Sequence, residues 1–176
     1  MRVDVLPGSR EVLDAVVAFR SAVYLRSRRN PENEDEWIRD DLDEAATHAI
    51  ARRDDGEIVA VARILIGERW SLDRHYAFDY DKGEGVEFGR LGVLQRRCDG
   101  RRVLFDLMRA ACEYSRSAGR IYAYGFVVRR FRRQLERQNI PLTVLSPPIF
   151  PYGEEAVLVR FSLGDLLRYY DERAAT

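Results

Sequence analysis

A glutamate and an arginine stand three residues apart in Val86-Glu87-Phe88-Gly89-Arg90-Leu91-Gly92-Val93, a run whose other members are apolar or glycine. A strand of this composition is made for burial, where a charge is costly without a use or a partner. Glu87 can accept a proton and Arg90 can hold an anion. Arg63 interrupts a second apolar run, Ile58 to Ile66, in the same way. Both guanidiniums need partners, because an arginine buried alone costs several kcal/mol. Asp40 and Asp43, three apart on a turn or helix start, can supply them, and Arg20 completes a cluster of alternating charge. Tyr24 lies one helical turn beyond Arg20 on the same stripe. Such a cluster is either the site for a small polar substrate or an ion-pair network that fixes the fold, and both can hold together. His48, five residues after Asp43, reads as structural rather than catalytic.

A second concentration of charge has one sign. Arg129, Arg130, Arg132, Arg133 and Arg137 face a single acid, Glu136. On a helix Arg129, Arg133 and Arg137 form one stripe at i, i+4, i+8, where like charges repel by roughly 0.2–0.5 kcal/mol per pair. Either the stripe is a solvated face or an acidic partner offsets the repulsion.

Periodicity supplies the elements that carry these residues. Ser9 is a good N-cap for a helix from Arg10, with Val12, Val16, Phe19 and Val23 on one face. Arg26 to Glu36, with Asn30-Pro31 and an acidic tail, reads as a loop, followed by a short helix around Trp37. His48–Arg52 and Ile58–Ile66 are two strands joined by the turn Asp54-Asp55-Gly56-Glu57. Gly67 to Gly85 is looser, and its Trp70, Tyr76, Phe78 and Tyr80 either line an apolar pocket or pack as a connection. The Val86–Leu94 strand leads through Gly100 into a helix with Leu104, Leu107, Met108, Ala111 and Tyr114 on one face. Gly119 ends that helix, Ile121–Val127 is the next strand, and the basic helix follows until Pro141. Leu142–Leu145 and Ala156–Leu163 are the last strands, Asp165–Glu172 is a terminal helix, and Tyr169-Tyr170 are expected at the surface.

Composition bounds the rest. With 176 residues and 46% hydrophobic content the chain is expected to form a single domain, 1–176, with a core that needs neither metal nor disulfide. Lys+Arg and Asp+Glu are both 29, so no global field points to nucleic acid. Cys98 and Cys112, without CxxC spacing and with only two histidines, make structural zinc an unfitting reading. No h-region and no run of eighteen apolar residues occurs, which predicts a soluble, cytoplasmic protein with reduced thiols and no membrane span.

Taken in order, Arg20-x3-Tyr24, Asp40-x2-Asp43-x4-His48, Arg63 and Glu87-x2-Arg90 resemble the frame of the acyl-homoserine-lactone (autoinducer) synthases and of the long-chain N-acyl amino acid synthases, over roughly residues 15 to 165. The histidine after the aspartate tilts the likeness toward the amino acid synthases. The resemblance implies an α+β GNAT fold, the acyl-CoA N-acyltransferase fold, with a mostly antiparallel mixed sheet and helices on both faces. It implies an enzyme that moves an acyl group from a phosphopantetheine thioester, on acyl carrier protein or CoA, to the amino group of an amino acid or similar small amine. Glu87 would accept the amine proton, directly or through a water, and the backbone amides of Leu91 to Val93 would meet the carbonyl oxygen where the central strand splays from the next. Arg20, Tyr24, Asp40, Asp43, Arg63 and Arg90 would line the site of the polar substrate. Arg129, Arg130, Arg133 and Arg137 would dock an acyl carrier protein. No metal is implied.

The sequence departs from that pattern in three places. GNAT enzymes that use acetyl-CoA carry Gln/Arg-x-x-Gly-x-Gly/Ala, whose amides hold pyrophosphate at a helix N-terminus. Here Arg97-Cys98-Asp99-Gly100-Arg101-Arg102 keeps the first glycine and has arginine for the second, so Arg97, Gly100, Arg101 and Arg102 are the residues expected to meet phosphate. The fold's general-acid tyrosine is absent, with Phe131 and Leu135 in that region. Gly89 stands where the lactone synthases have serine, which argues against a lactone product. Three alternatives remain: homoserine-lactone synthesis from S-adenosylmethionine, acetylation with acetyl-CoA, and a non-catalytic GNAT-like module that binds a carrier or partner protein.

Overall fold

The computed structural model describes residues 1–26, 38–94, 100–151 and 153–174. Its strands, β1 (Arg2–Pro7), β2 (Thr47–Arg52), β3 (Ile58–Leu65), β4 (Gly85–Val93), β5 (Tyr122–Val128), β6 (Thr143–Val144) and β7 (Ala156–Ser162), form a seven-stranded sheet ordered β1-β2-β3-β4-β5-β7-β6. The β1–β2, β2–β3, β5–β7 and β6–β7 ladders are antiparallel and β4 pairs with β5 in parallel. The chain gathers into two compact units, Met1–Leu65 with Phe88–Ala111, and Ile66–Glu87 with Cys112–Thr176.

In the first unit β1 (Arg2–Pro7) leads into α1 (Arg10–Arg26). Ser9 caps α1, its Oγ accepting the Val12 N–H at 3.4 Å. The apolar stripe packs as its spacing requires: Val16 and Phe19 lie against Ile50 and Val61, with Val12, Val23, Ile58 and Leu94 around them. β2 (Thr47–Arg52) and β3 (Ile58–Leu65) form the expected hairpin. Its turn closes through Arg53 N–H to Glu57 O and Gly56 N–H to Arg53 O, both 2.9 Å, with Gly56 at φ 88, where glycine is unstrained. β1 is absent from the sequence reading. Its six residues, with Val3, Val5 and Leu6 the apolar side chains before Pro7, are too short a pattern to mark a strand, and it is one because β2 pairs with it from Arg2↔Arg52 to Pro7↔Thr47.

β4 (Gly85–Val93) passes from the second unit into the first. An unbroken strand alternates its side chains between faces, but Arg90 has φ 52, which interrupts the alternation midway. α2 (Gly100–Ser117) follows.

In the second unit a 3-10 turn, Leu72–Arg74, lies within the connection to β4. β5 (Tyr122–Val128), α3 (Arg129–Arg137), β6 (Thr143–Val144), β7 (Ala156–Ser162) and α4 (Leu163–Ala174) complete it. Val127, Val157 and Val159 pack with Leu135 of α3, the inner-face leucine that the periodicity assigns. The expected strand at 142–145 shrinks to two residues, both exposed at the sheet edge. Tyr170 is 4% exposed rather than at the surface, and the Tyr169 hydroxyl donates to Gln138 O at 2.9 Å, because the terminal helix turns this face inward. The short helix expected around Trp37 lies outside the described residues. No helix among the described residues is long and apolar enough to cross a membrane.

Candidate active site

The first unit assembles the alternating charges into one continuous chain. Arg20, on α1, donates from Nη1 to both Asp43 oxygens, at 2.9 and 3.0 Å. Arg63, on β3, donates from one Nη1 to Asp43 Oδ1 at 3.3 Å and to Asp40 Oδ1 at 2.6 Å. Arg90, on β4, donates to the other Asp40 oxygen at 2.9 Å. Two aspartates on one turn thus tie three secondary-structure elements together. The turn braces itself, since Asp40 N–H donates to Asp43 Oδ2 at 3.0 Å and Leu42 N–H to Asp40 Oδ1 at 3.0 Å. Arg20, Asp43 and Arg63 are essentially inaccessible, and Asp40 and Arg90 are only slightly less buried.

Electrostatics keeps the two aspartates ionised. Burial pushes the Asp40 carboxyl upward, but the hydrogen bond and charge of Arg63, then those of Arg90, outweigh it and hold Asp40 far below the usual carboxylate range. Asp43 is likewise lowered: burial acts upward and the charge and hydrogen bond of Arg20, with the charge of Arg63, prevail. His48 closes the chain. Its Nε2 lies 3.0 Å from Asp43 O, its Nδ1 3.5 Å from Arg20 Nη2, and burial lowers its pKa. This supports the structural assignment of the histidine. Tyr24 is buried, with its ring 3.8 Å from where a Cβ on Gly92 would lie.

Glu87 belongs to the second unit and is 1% exposed. One carboxylate oxygen accepts the Ser71 hydroxyl and the other accepts Leu72 N–H at 3.2 Å. Ser71 was invisible in the sequence, because a serine in a polar connection carries no periodicity. The aromatics of this connection pack on one another. Trp70, Tyr80 and Tyr124 meet with ring centroids 5.4–5.6 Å apart, which favours the connection reading for these rings. The parallel ladder between β4 and β5 runs from Gly85↔Tyr122 to Glu87↔Tyr124. Leu91 and Val93 lie on β4 beyond it and are half-buried.

The remaining candidates are less drawn together. Arg97 and the Arg101 side chain lie outside the described residues. Gly100 starts α2 with nothing within 4 Å of a Cβ built on it, and Arg102 stands exposed, 3.9 Å from Asp106. Arg129, Arg130, Arg133 and Arg137, with Glu136, line an open hollow of about 740 Å³ on α3. Among the described residues no group of three or more His, Cys, Asp or Glu side chains could hold a metal ion.

The fold finds its match among solved structures. TofI, in a ternary complex with an inhibitor and MTA, superposes with a TM-score of 0.78 at 17% identity, covering 97% of each chain. The chain has a GNAT fold. MesI, a CoA-dependent acyl-homoserine lactone synthase, gives 0.75 at 17% identity over 99% of this chain and 96% of its own. An acyl-CoA N-acyltransferase from Pseudomonas aeruginosa gives 0.66 at 18% identity over 92% of this chain and all of its own. No family model and no curated relative matches the sequence.

Proposed function

We propose that this GNAT-fold chain is an N-acyltransferase that moves an acyl group from a phosphopantetheine thioester to the amino group of an amino acid or similar small amine. The observation that carries this reading is the buried chain Arg20–Asp43–Arg63–Asp40–Arg90. Buried ion pairs add little net stability over well-packed apolar residues, so four of them in a small fold point to a polar ligand rather than to stability alone. In this reading Arg90, the most exposed of the three arginines, and Tyr24 meet the acceptor, while Arg20, Arg63 and the two aspartates hold them. Glu87 takes the amine proton, and amides from Leu91 to Val93, beyond the end of the β4–β5 ladder, meet the developing oxyanion. Thiolate is a good leaving group, which makes the missing tyrosine tolerable. The donor is acyl carrier protein or acyl-CoA. The α3 hollow suits the acidic carrier, and Arg97, Gly100, Arg101 and Arg102 would meet the donor's phosphate.

A second reading, acyl-homoserine-lactone synthesis from S-adenosylmethionine, is favoured by the fold likeness to BjaI, described with SAM and isopentyl-CoA, at a TM-score of 0.75 and 16% identity. One experiment addresses both. Lipid extracts and medium from cells producing the wild type or Glu87→Gln are compared by mass spectrometry. A new N-acyl amino acid with the wild type alone supports the first reading, and an acyl lactone supports the second. Identical extracts from wild type, variant and empty cells, together with no turnover of acyl-CoA or acyl carrier protein by the purified chain, would sink both.

A further inference from the structure

The geometry points to Ser71 as the group that takes the acceptor's proton and hands its own to Glu87, so that the base of this enzyme is a serine–glutamate relay rather than the carboxylate alone. The inference rests on the acyltransferase reading above. Three observations carry it. Glu87 is 1% exposed and has one oxygen on the Ser71 hydroxyl and the other on Leu72 N–H, so both oxygens of the base are already engaged by the 71–72 connection. A carboxylate only accepts, so the Ser71 hydrogen points at Glu87. The lone pairs of Ser71 Oγ that remain are therefore acceptors, which is the polarity an amine N–H requires. Ser71, at 6% exposed, is the more accessible of the pair.

The step balances without a further reagent. As the amine nitrogen bonds to the thioester carbonyl carbon and the C–S bond breaks, the electron pair leaves with sulfur. One N–H proton passes to Ser71 Oγ while the Ser71 hydrogen passes to Glu87 Oε1. The products are an amide, a thiolate that takes a proton from water, and a neutral Glu87 that returns its proton to water by the reverse path. A relay of this kind puts two protons in flight in one transition state.

The test uses the full chain in single turnover, with the acyl donor and the amine recovered as product by the extract experiment. Ser71→Ala should lower the acyl-transfer rate by about 10²-fold, the lower end of general-base effects, with the acceptor KM within about threefold. Ser71→Thr, which keeps the hydroxyl, should recover most of the rate. The rate in H2O/D2O mixtures should curve with deuterium fraction in the wild type and run straight in Ser71→Ala, a distinction that a merely structural serine would not produce. A wild-type rate in Ser71→Ala, or a straight dependence in the wild type, overturns the relay and leaves the acyltransferase reading standing. A wild type that transfers to no amine overturns that reading and the relay with it.

Discussion

Arg20 Nη1 donates to both oxygens of Asp43, at 2.9 and 3.0 Å, and neither side chain has any exposure. Asp43 Oδ1 also accepts from Arg63, so one carboxylate is the partner of two buried guanidiniums. Asp43→Asn keeps the shape and removes the charge, leaving an uncompensated buried cation. Breaking a buried pair in this way costs about 3–5 kcal/mol. Urea denaturation should show a loss of that size. A loss under about 1 kcal/mol would mean that water reaches the cluster and that Asp43 is not its anchor.

His48 should make stability depend on pH in a window of its own. Asp43 O can only accept, so Nε2 carries the hydrogen, and Arg20 Nη2 can only donate, so Nδ1 is bare. Both contacts demand the neutral ring, and burial lowers its pKa below the ordinary 6.5. Between the ordinary and the lowered value the unfolded chain binds a proton that the folded chain does not. Stability is therefore fully present above about 6.5 and falls as pH drops below it, by at most about 1.4 kcal/mol per pH unit. His48→Gln can keep one acceptor and one donor without titrating. Urea midpoints at pH 7.5 and 5.5 should differ for the wild type and agree for the variant; an equal drop in both would place the titration elsewhere. Asp40 and Asp43, held low by their arginines, add a separate loss that starts only below about 3.8.

The parts of this site that were legible were those in which desolvation leaves few choices. Arg63 and Arg90 in apolar runs demanded carboxylates, and Asp40 and Asp43 answer them through the predicted pairing. The hairpin, the Arg10 and Gly100 helices and the basic helix carried strong periodicity or turn chemistry, and the structure has them. What escaped depends on neighbours distant in sequence. β1 exists through its pairing with β2, Ser71 matters through Glu87, and the positive φ of Arg90 is a property of the folded strand that its composition does not encode.

Gly8 shows the same dependence and gives a sharp prediction. A Cβ there would lie 2.5 Å from Asp43 O and 2.8 Å from Glu44 O, and both are backbone atoms that cannot step aside alone. Gly8 N–H also donates to Ala46 O at 2.9 Å, which pins the two segments together. Gly8→Ala must therefore push the Asp40–Asp43 turn away, at a cost of about 1–3 kcal/mol, and disturb the carbonyl that His48 uses. Gly100→Ala is the contrast, since a Cβ at this helix start meets nothing within 4 Å. It should be neutral or stabilise by up to about 1 kcal/mol. Equal urea midpoints for the two variants would show that the close approach at Gly8 relaxes freely.

The arginine stripe of α3 can be tested by a substitution that separates stability from docking. Arg129, Arg133 and Arg137 are exposed, and the helix's one acid, Glu136, is 2.7 Å from Arg132, outside the stripe. The Arg129 guanidinium lies 3.7 Å from the Glu155 carboxylate. Arg133→Glu turns two repulsive i,i+4 pairs into two attractive ones, each a change of a few tenths of a kcal/mol. The thermal midpoint should hold or rise slightly. If the hollow docks an acidic carrier, the same change places a like charge at its centre: carrier affinity should fall at least tenfold in about 0.05 M salt and by less in about 0.5 M, where exposed charges are screened. Isothermal titration with acyl carrier protein at the two salt concentrations reads both effects. An equally stable variant with undiminished affinity at low salt would make the stripe a solvated face and remove the carrier from this helix.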